Sequence, residues 1–581
     1  MGAAEPGPSV QLTTQGLPPT VTLAEKGAAT LPLTLIAPDT EGTALVRLSA
    51  RLPDGRMVTK DLTIPVLRQD AAVNRRMQIT LAPGASQTID LSPLGAFRPG
   101  TGRITLTSGA FARLDVPGAL ALLAAYPYGC TEQLASGALP QIYARGLMPD
   151  GMPTPPGVEP KSVDNAIAQI LTRQTSGGSF GLWRPDIGDR WLDAYVTDFL
   201  SRARSAGYAV PDAAYKAALT ALQNGLNAAA DPQFADAGEN AATAYTAYVL
   251  ARDHAAVISD LRYYVDTAAE SFNSPLAAAQ LGAALASYGD QARADVMFRR
   301  ASVMAAGGIQ PSEGFRADYG TVIRDRAAVL ALAAEAGSQV VDRDGLARAI
   351  ATQIDARALE GAQLSTQEAG WIVLAAQALS SNAGGNGLTL SGAALSAPVQ
   401  DLGDAAALPP VVLENTGPAP LDVTLGATAV PVDAPAAGGT AFSISRSYFT
   451  PEGTPADPAN VPLGTRLIAV VEVNPLTDAD GRLIIGDPLP AGFEIDNPNL
   501  LGQGEIEGLD WLGGTTETDM AEFRQDRFAA AVTLYGRDPV RLAYRLRAVT
   551  AGQFHHPAAT VEDMYRPDRR AWTDSGTTVI Q

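Results

Sequence analysis

Among 581 residues there is a single cysteine, Cys130, and only four of the 42 basic residues are lysine (Lys26, Lys60, Lys161 and Lys216). One thiol excludes an intramolecular disulfide, and a metal centre built on thiolates needs several. Cys130 is therefore either an inert buried side chain or a reacting group. Long apolar runs are also missing: the longest, VPGALALLAAY at 116–126, is too short for a bilayer span of about 20 residues. MGAAEPGPSV has neither the basic start nor the apolar stretch of a signal peptide. That leaves a cytoplasmic chain or one whose export signal has been removed. Positive charge is in deficit, giving a net charge of −19, which argues against nucleic acid or an anionic membrane as the main partner. The lysine shortage fits a coding bias toward arginine and alanine; it also fits an electrophile kept away from amines, which arginine cannot supply as nucleophiles.

What is present reads as several globular units. With 46% hydrophobic and 18% charged residues the chain can bury cores, and its length divides into roughly three to five domains. Residues 9–115 alternate as strands do, in VQLTTQ, TLPLTLIAP, TALVRLSARL, KDLTIPVL, MQITLAP and GRITLTS, with turn signals such as PDG at 53–55. A break near residue 70 divides this stretch into 1–70 and 71–116. From 117 to about 385 the period is helical and alanine-rich, and WLDAYV, YTAYVL, RAAVLAL and GWIVLAA repeat one pattern of small and bulky residues. Five or six helical hairpins in this span suit a closed α/α toroid. SNAGGNG marks the exit, strand signals return over 386–435, and a last β-sandwich is expected over 436–581. The helical block is thus inserted into a β architecture, as close-lying surface ends allow.

Cys130 stands in YPYGCTEQ, where Pro127 and Gly129 end one helical segment and TEQLASGALPQIYARGL begins another. Cys130 and Gln133 are three apart, so at a helix start their side chains share a face. The sulfur can then reach the carboxamide carbon, and condensation with loss of ammonia makes an internal thioester. Backbone amides at the helix start would stabilise thiolate on opening. The bond lasts only if water is kept out, a role that suits Tyr126 and Tyr128.

GC-x-EQ preceded by Pro-Tyr is similar to the thioester motif of the alpha-2-macroglobulin and complement superfamily, and YPYGCTEQ resembles its bacterial alpha-2-macroglobulin form. STQEAGWIVLAA resembles a late toroid helix of those members; DPLPAGFEIDNPNL, RQDRFAAAV and RAVTAGQFHHPAATVEDMYRP resemble their C-terminal domain. The resemblance implies a multidomain α+β chain: a macroglobulin-like β-sandwich over 1–70, a CUB-type β domain split between 71–116 and 386–435, a toroid thioester domain over 117–385, and a C-terminal macroglobulin-like β-sandwich over 436–581. It implies a protease inhibitor in which cleavage of a bait exposes the thioester to a lysine of the protease. Cys130 is then the leaving thiol, Gln133 the acyl donor, and Thr131 and Glu132 close the ring. Such a trap reacts once and is not a turnover enzyme. No cofactor or metal is implied beyond the Cys130–Gln133 cross-link. Met564 and Tyr565 are candidate cover for Tyr126 and Cys130.

Departures shape the expectation. Complement-like members pass the acyl group to hydroxyls through a histidine, whereas His254 follows a helix end and His555 and His556 lie far downstream, so direct attack by amines is expected. Family members carry further macroglobulin-like domains and a bait region before this segment, so the chain reads as a C-terminal part that traps no protease alone. The implied setting is a monomer in the periplasm, with any inner-membrane anchor upstream, target proteases as partners and a cell-wall synthase as a further candidate. Two rivals stand beside this. One is a structural or interaction module with an inactive thioester site. The other is a toroid terpene cyclase-like enzyme, suggested by GGSFGLW at 177–183, although DIGD and DAGEN supply no diphosphate–magnesium signature.

Overall fold

A computed structural model describes residues 10–581 apart from 17–20, 22–26, 31–32, 39, 41, 53, 68–69, 127, 145–146, 148–161, 308–315, 360–361, 381–386, 396, 408, 479 and 497–509. Lys26, Lys161, Pro127 and most of SNAGGNG, all singled out above, lie outside the described residues. The chain is a multidomain α+β assembly of β-sheets with an inserted helical toroid.

The toroid closes through six inner helices among the described residues: Thr131–Ala138, Arg190–Ser205, Ala237–Arg252, Pro275–Ser287, Val322–Glu335 and Thr366–Ser380, each packed on the next and the last on the first. Their sequences explain which helices go inside. Ala237–Arg252 is buried without interruption from Asn240 to Ala251, the mark of a helix surrounded by others. Its outer neighbour Asp212–Asn227 buries only Tyr215, Ala218 and Leu222, a single stripe at helical spacing. Small residues let the inner helices approach, and the four repeated stretches WLDAYV, YTAYVL, RAAVLAL and GWIVLAA all fall on this inner ring. TEQLASGALPQIYARGL is not one helix: it divides into Thr131–Ala138 and Gln141–Ala144, because Pro140 has no N–H to continue the ladder and crowds the preceding turn.

Strands before and after the toroid interleave. Val73–Leu81 and Arg103–Ser108 pair with Leu421–Ala429, and Val399–Asp404 pairs with Arg103–Ser108. A second sheet joins Ser86–Ile89, Val411–Asn415, Leu388–Leu390 and Ala393–Ala394. Arg76 fastens this β unit to the toroid: its Nε reaches Asp355 at 2.7 Å and its Nη2 donates to Ala351 O at 2.8 Å. Ahead of it, the described residues form two antiparallel pairs, Thr13–Gln15 with Thr34–Ile36 and Gly42–Arg51 with Met57–Val66.

The C-terminal unit is a β-sandwich whose period-2 alternation serves two cores at once. Leu483 and Ile485 point into the sandwich, as do Ala530 and Val532, while Ile484 and Ala531 between them join the toroid's apolar cluster. Met564 and Tyr565 join that cluster too. One sheet face is thereby sealed on the helical ring, with Tyr128 and Cys130 in the same apolar cluster.

Candidate functional site

The local fold around Cys130 follows from a helix start. Cys130 is the N-cap of Thr131–Ala138, with extended backbone, and it forms a reciprocal capping box with Gln133. Sγ accepts from the Gln133 N–H at 3.4 Å, and Gln133 Oε1 accepts from the Cys130 N–H at 3.1 Å. The carboxamide Nε2 points the other way and donates to the Tyr126 hydroxyl at 2.9 Å. Thiol and carboxamide therefore lie side by side, with a backbone donor on the acyl oxygen and a hydroxyl on the nitrogen. Cys130, Thr131, Glu132 and Gln133 are all fully buried.

Burial decides the protonation states. It pushes the Cys130 thiol up to about 12, the neighbouring Glu132 adds to this, and the amide at Gln133 opposes it only in part. The helix start expected to stabilise thiolate does touch the sulfur, but desolvation outweighs it in this closed arrangement. Burial likewise holds the Glu132 carboxyl above its usual range. Glu132 Oε1 accepts from Ser136, whose hydroxyl lies 2.7 Å from Tyr195, and from Gln367 Nε2 at 2.9 Å.

The C-terminal sandwich covers the pair. The Tyr565 hydroxyl lies 4.0 Å from Cys130 Sγ, and Met564 and Tyr565 are both buried. Tyr126 and Tyr128 meet edge to face at 5.6 Å. Tyr128 presses so closely on strand Gly481–Pro488 that a Cβ on Gly486 would stand 2.2 Å from its hydroxyl. Glu562, one strand over, hydrogen-bonds Tyr126, and burial raises its carboxyl to about 7.

Sequence reasoning missed the clamp on the other side. Arg173 Nη2 donates to Gly129 O at 2.7 Å, and its Nη1 reaches Thr131 Oγ1 at 3.2 Å and Leu182 O at 3.1 Å. The Thr131 hydroxyl reaches Gly181 O at 2.6 Å, and its N–H donates to Leu182 O at 2.8 Å. The GGSFGLW stretch therefore holds the Cys130 loop from behind. Gly181 is required there, since a Cβ would stand 1.9 Å from Arg184 O. The clue lay in its glycines, which permit close backbone approach. Among the described residues no group of three or more His, Cys, Asp or Glu side chains is placed to hold a metal.

The histidines have other partners. His254 adopts a left-handed φ of 54° after the helix Ala237–Arg252 and meets Tyr288 edge-on. His555 pairs with Asp70 at 2.8 Å, and His556 lies 2.8 Å from the Tyr448 hydroxyl. Lys60 and Lys216 are exposed.

Comparison with known proteins matches this layout. The family described as Bacterial Alpha-2-macroglobulin MG10 domain matches residues 442–568, and the A-macroglobulin TED domain matches 106–225. Alpha-2-macroglobulin of Escherichia coli strain K12 is 31% identical over 522 residues, which is 84% of this chain and 30% of that protein. The protein of the same name from Xylella fastidiosa strain Temecula1 is 29% identical over 95% of this chain and 35% of its own length. The chain thus spans about a third of the length of these relatives. The crystal structure of native E. coli alpha-2-macroglobulin from domain MG7 to the C-terminus superposes with a TM-score of 0.82 at 28% identity, covering 98% of this chain and 93% of that one. Salmonella alpha-2-macroglobulin reacted with methylamine gives 0.81 at 29% identity, over 98% of this chain and 38% of that one.

Proposed function

Because the chain is a relative of bacterial alpha-2-macroglobulin built like its C-terminal portion, we propose that Cys130 and Gln133 form an internal thioester that captures an amine once, as the reactive part of a protease trap. The capping-box geometry of the pair beneath Tyr565 carries this reading.

In the proposed ring closure the thiol sulfur attacks the Gln133 carboxamide carbon. The S–C bond forms, the C–N bond breaks, and the thiol proton leaves with the nitrogen as ammonia. The Cys130 N–H, already on Oε1 at 3.1 Å, faces the oxygen that becomes negative during attack, and Tyr126 stands where ammonia departs. Opening reverses the bonds: an amine nitrogen bonds the carbonyl carbon, the C–S bond breaks, and the sulfur takes a proton. With the thiol held near 12, it leaves as a neutral thiol in the closed site; thiolate departs readily only once the cover lifts.

Cover and clamp give the trap its condition. Tyr126, Tyr128, Met564 and Tyr565 shield the bond until the C-terminal sandwich moves, and we assign that movement to proteolysis elsewhere in the whole protein. Target proteases as partners, single-turnover action, direct attack by amines rather than transfer to hydroxyls, and a periplasmic location complete the proposal. The relative that reacted with methylamine supports that probe here.

The test is intact mass of the denatured protein before and after methylamine, with thiol titration. A starting mass lower by one ammonia, then uptake of one methylamine with release of one thiol, is expected. A full starting mass with Cys130 free from the outset would sink the reading and leave an interaction module.

A further inference from the structure

Resting on the thioester reading, we propose that Arg482 is the positioning residue that holds the cover shut, latching the C-terminal sandwich to the toroid through Tyr319 and Asp189. Arg482 lies on strand Gly481–Pro488 and its carbonyl accepts from the Met564 N–H at 2.8 Å, so anchor and cover are one rigid piece. Across the seam, Arg482 Nη1 donates to the Tyr319 hydroxyl at 2.7 Å, and its guanidinium lies 5.0 Å from the centre of that ring. The Tyr319 hydroxyl donates in turn to Asp189 Oδ2. Asp189 is itself fixed: it caps the inner helix Arg190–Ser205 and accepts from the Leu192 N–H at 2.9 Å.

Tyr319 is built for this place. It is a non-glycine residue in left-handed conformation, with φ 52°, yet it is fully buried. Such backbone is held only where its surroundings over-determine it. Its ring packs 4.6 Å from Tyr565 and 5.2 Å from Trp191. A continuous path therefore runs from the sulfur through Tyr565 and Tyr319 to Arg482 and back, along the strand pair, to Met564. A cleft of about 180 Å³ lies beside Tyr319 and Tyr565. The Arg482–Tyr319–Asp189 chain joins a cation of one domain to an anion of the other, and charge-assisted bonds of this kind are the directional ones.

The experiment uses the 581-residue chain, with Arg482→Ala, Tyr319→Phe and the double variant, folding checked by circular dichroism. Methylamine uptake and spontaneous thiol release are followed by mass. About a ten-fold acceleration in each single variant is expected, and the double variant should be no faster than either, since all three break one link. Unchanged rates in a folded Arg482→Ala protein would overturn the latch, as would acceleration in Arg482→Ala without acceleration in Tyr319→Phe. Should Arg482→Ala not fold, Tyr319→Phe decides alone, because it keeps the ring on Tyr565 and removes only the hydroxyl. Should the wild-type mass show no thioester, that reading fails separately, and alkylation of the free Cys130 thiol by iodoacetamide in the same variants tests the latch by the same comparison.

Discussion

At the scale of single residues, the site asks for particular atoms rather than particular sizes. Gln133→Glu keeps length and the oxygen on the Cys130 N–H but offers no amide nitrogen to expel, so the purified protein should show a free thiol and no loss of ammonia by mass. Gly486→Ala is the opposite kind of change, adding one methyl where Tyr128 already lies at 2.2 Å. The tyrosine must swing away, at about 1–3 kcal/mol for such crowding, and methylamine uptake should quicken while Cys130 and Gln133 stay intact. The pairing of Cys130 with Gln133 was legible from one sequence because residues three apart at a helix start share a face. Gly486 was not, since its meaning is the hydroxyl of a residue some 350 positions earlier. Arg173 hid for the same reason: arginine is common here, and only the fold puts this one on Gly129 O.

At the scale of elements, alternation and helical period forecast the order of β and α segments and placed the four repeated stretches on helices. Which helices form the inner ring was not legible from composition, since the outer helix Asp212–Asn227 is alanine-rich while the inner helix Arg190–Ser205 buries Asp193, Asp198 and Arg202. The break at Pro140 and the role of the 177–183 loop were not readable that way. GGSFGLW, which suggested a terpene cyclase-like enzyme, carries instead the two carbonyls that Thr131 uses. Arg173→Ala removes three hydrogen bonds from a cation to this corner, each worth roughly 1.5–3 kcal/mol when charged. Hydrogen exchange at Gly129–Gln133 should rise well above wild type, while the distant sandwich strands stay protected. Equal protection at Gly129–Gln133 in both proteins would refute the clamp.

At the scale of the whole molecule, the C-terminal sandwich packs on the toroid through Ile484, Ala531, Met564 and Tyr565, and the electrostatics of that seam carry a pH signature. Burial is the main reason the Glu562 carboxyl sits at about 7, with Asp563 adding to the rise and Arg570 and Tyr126 opposing it. An acid raised above its solvated value of about 4.3 favours the docked state when protonated. That contribution is complete below the solvated value and is lost as pH climbs through 7, because the docked carboxyl must then give up its proton. The half-buried setting makes the effect on the order of 1–3 kcal/mol. Between pH 5 and 8 the first calorimetric transition should fall in the wild type, and fall less in Glu562→Gln. Parallel profiles for the two proteins would remove Glu562 from the account. This coupling was invisible in the sequence, where Glu562 was only a letter before the Met564–Tyr565 pair.

The separation of 435 residues between Cys130 and Tyr565 also sets a timetable. A ribosome adding about 5–20 residues per second delivers the cover roughly 20–90 seconds after the thiol has emerged. The strands at 73–81 and 421–429 cannot pair until the whole toroid between them has been made. A thioester of the proposed kind closed during that wait would stand open to water, so its formation is expected only after the sandwich that carries Tyr565 has docked on the toroid.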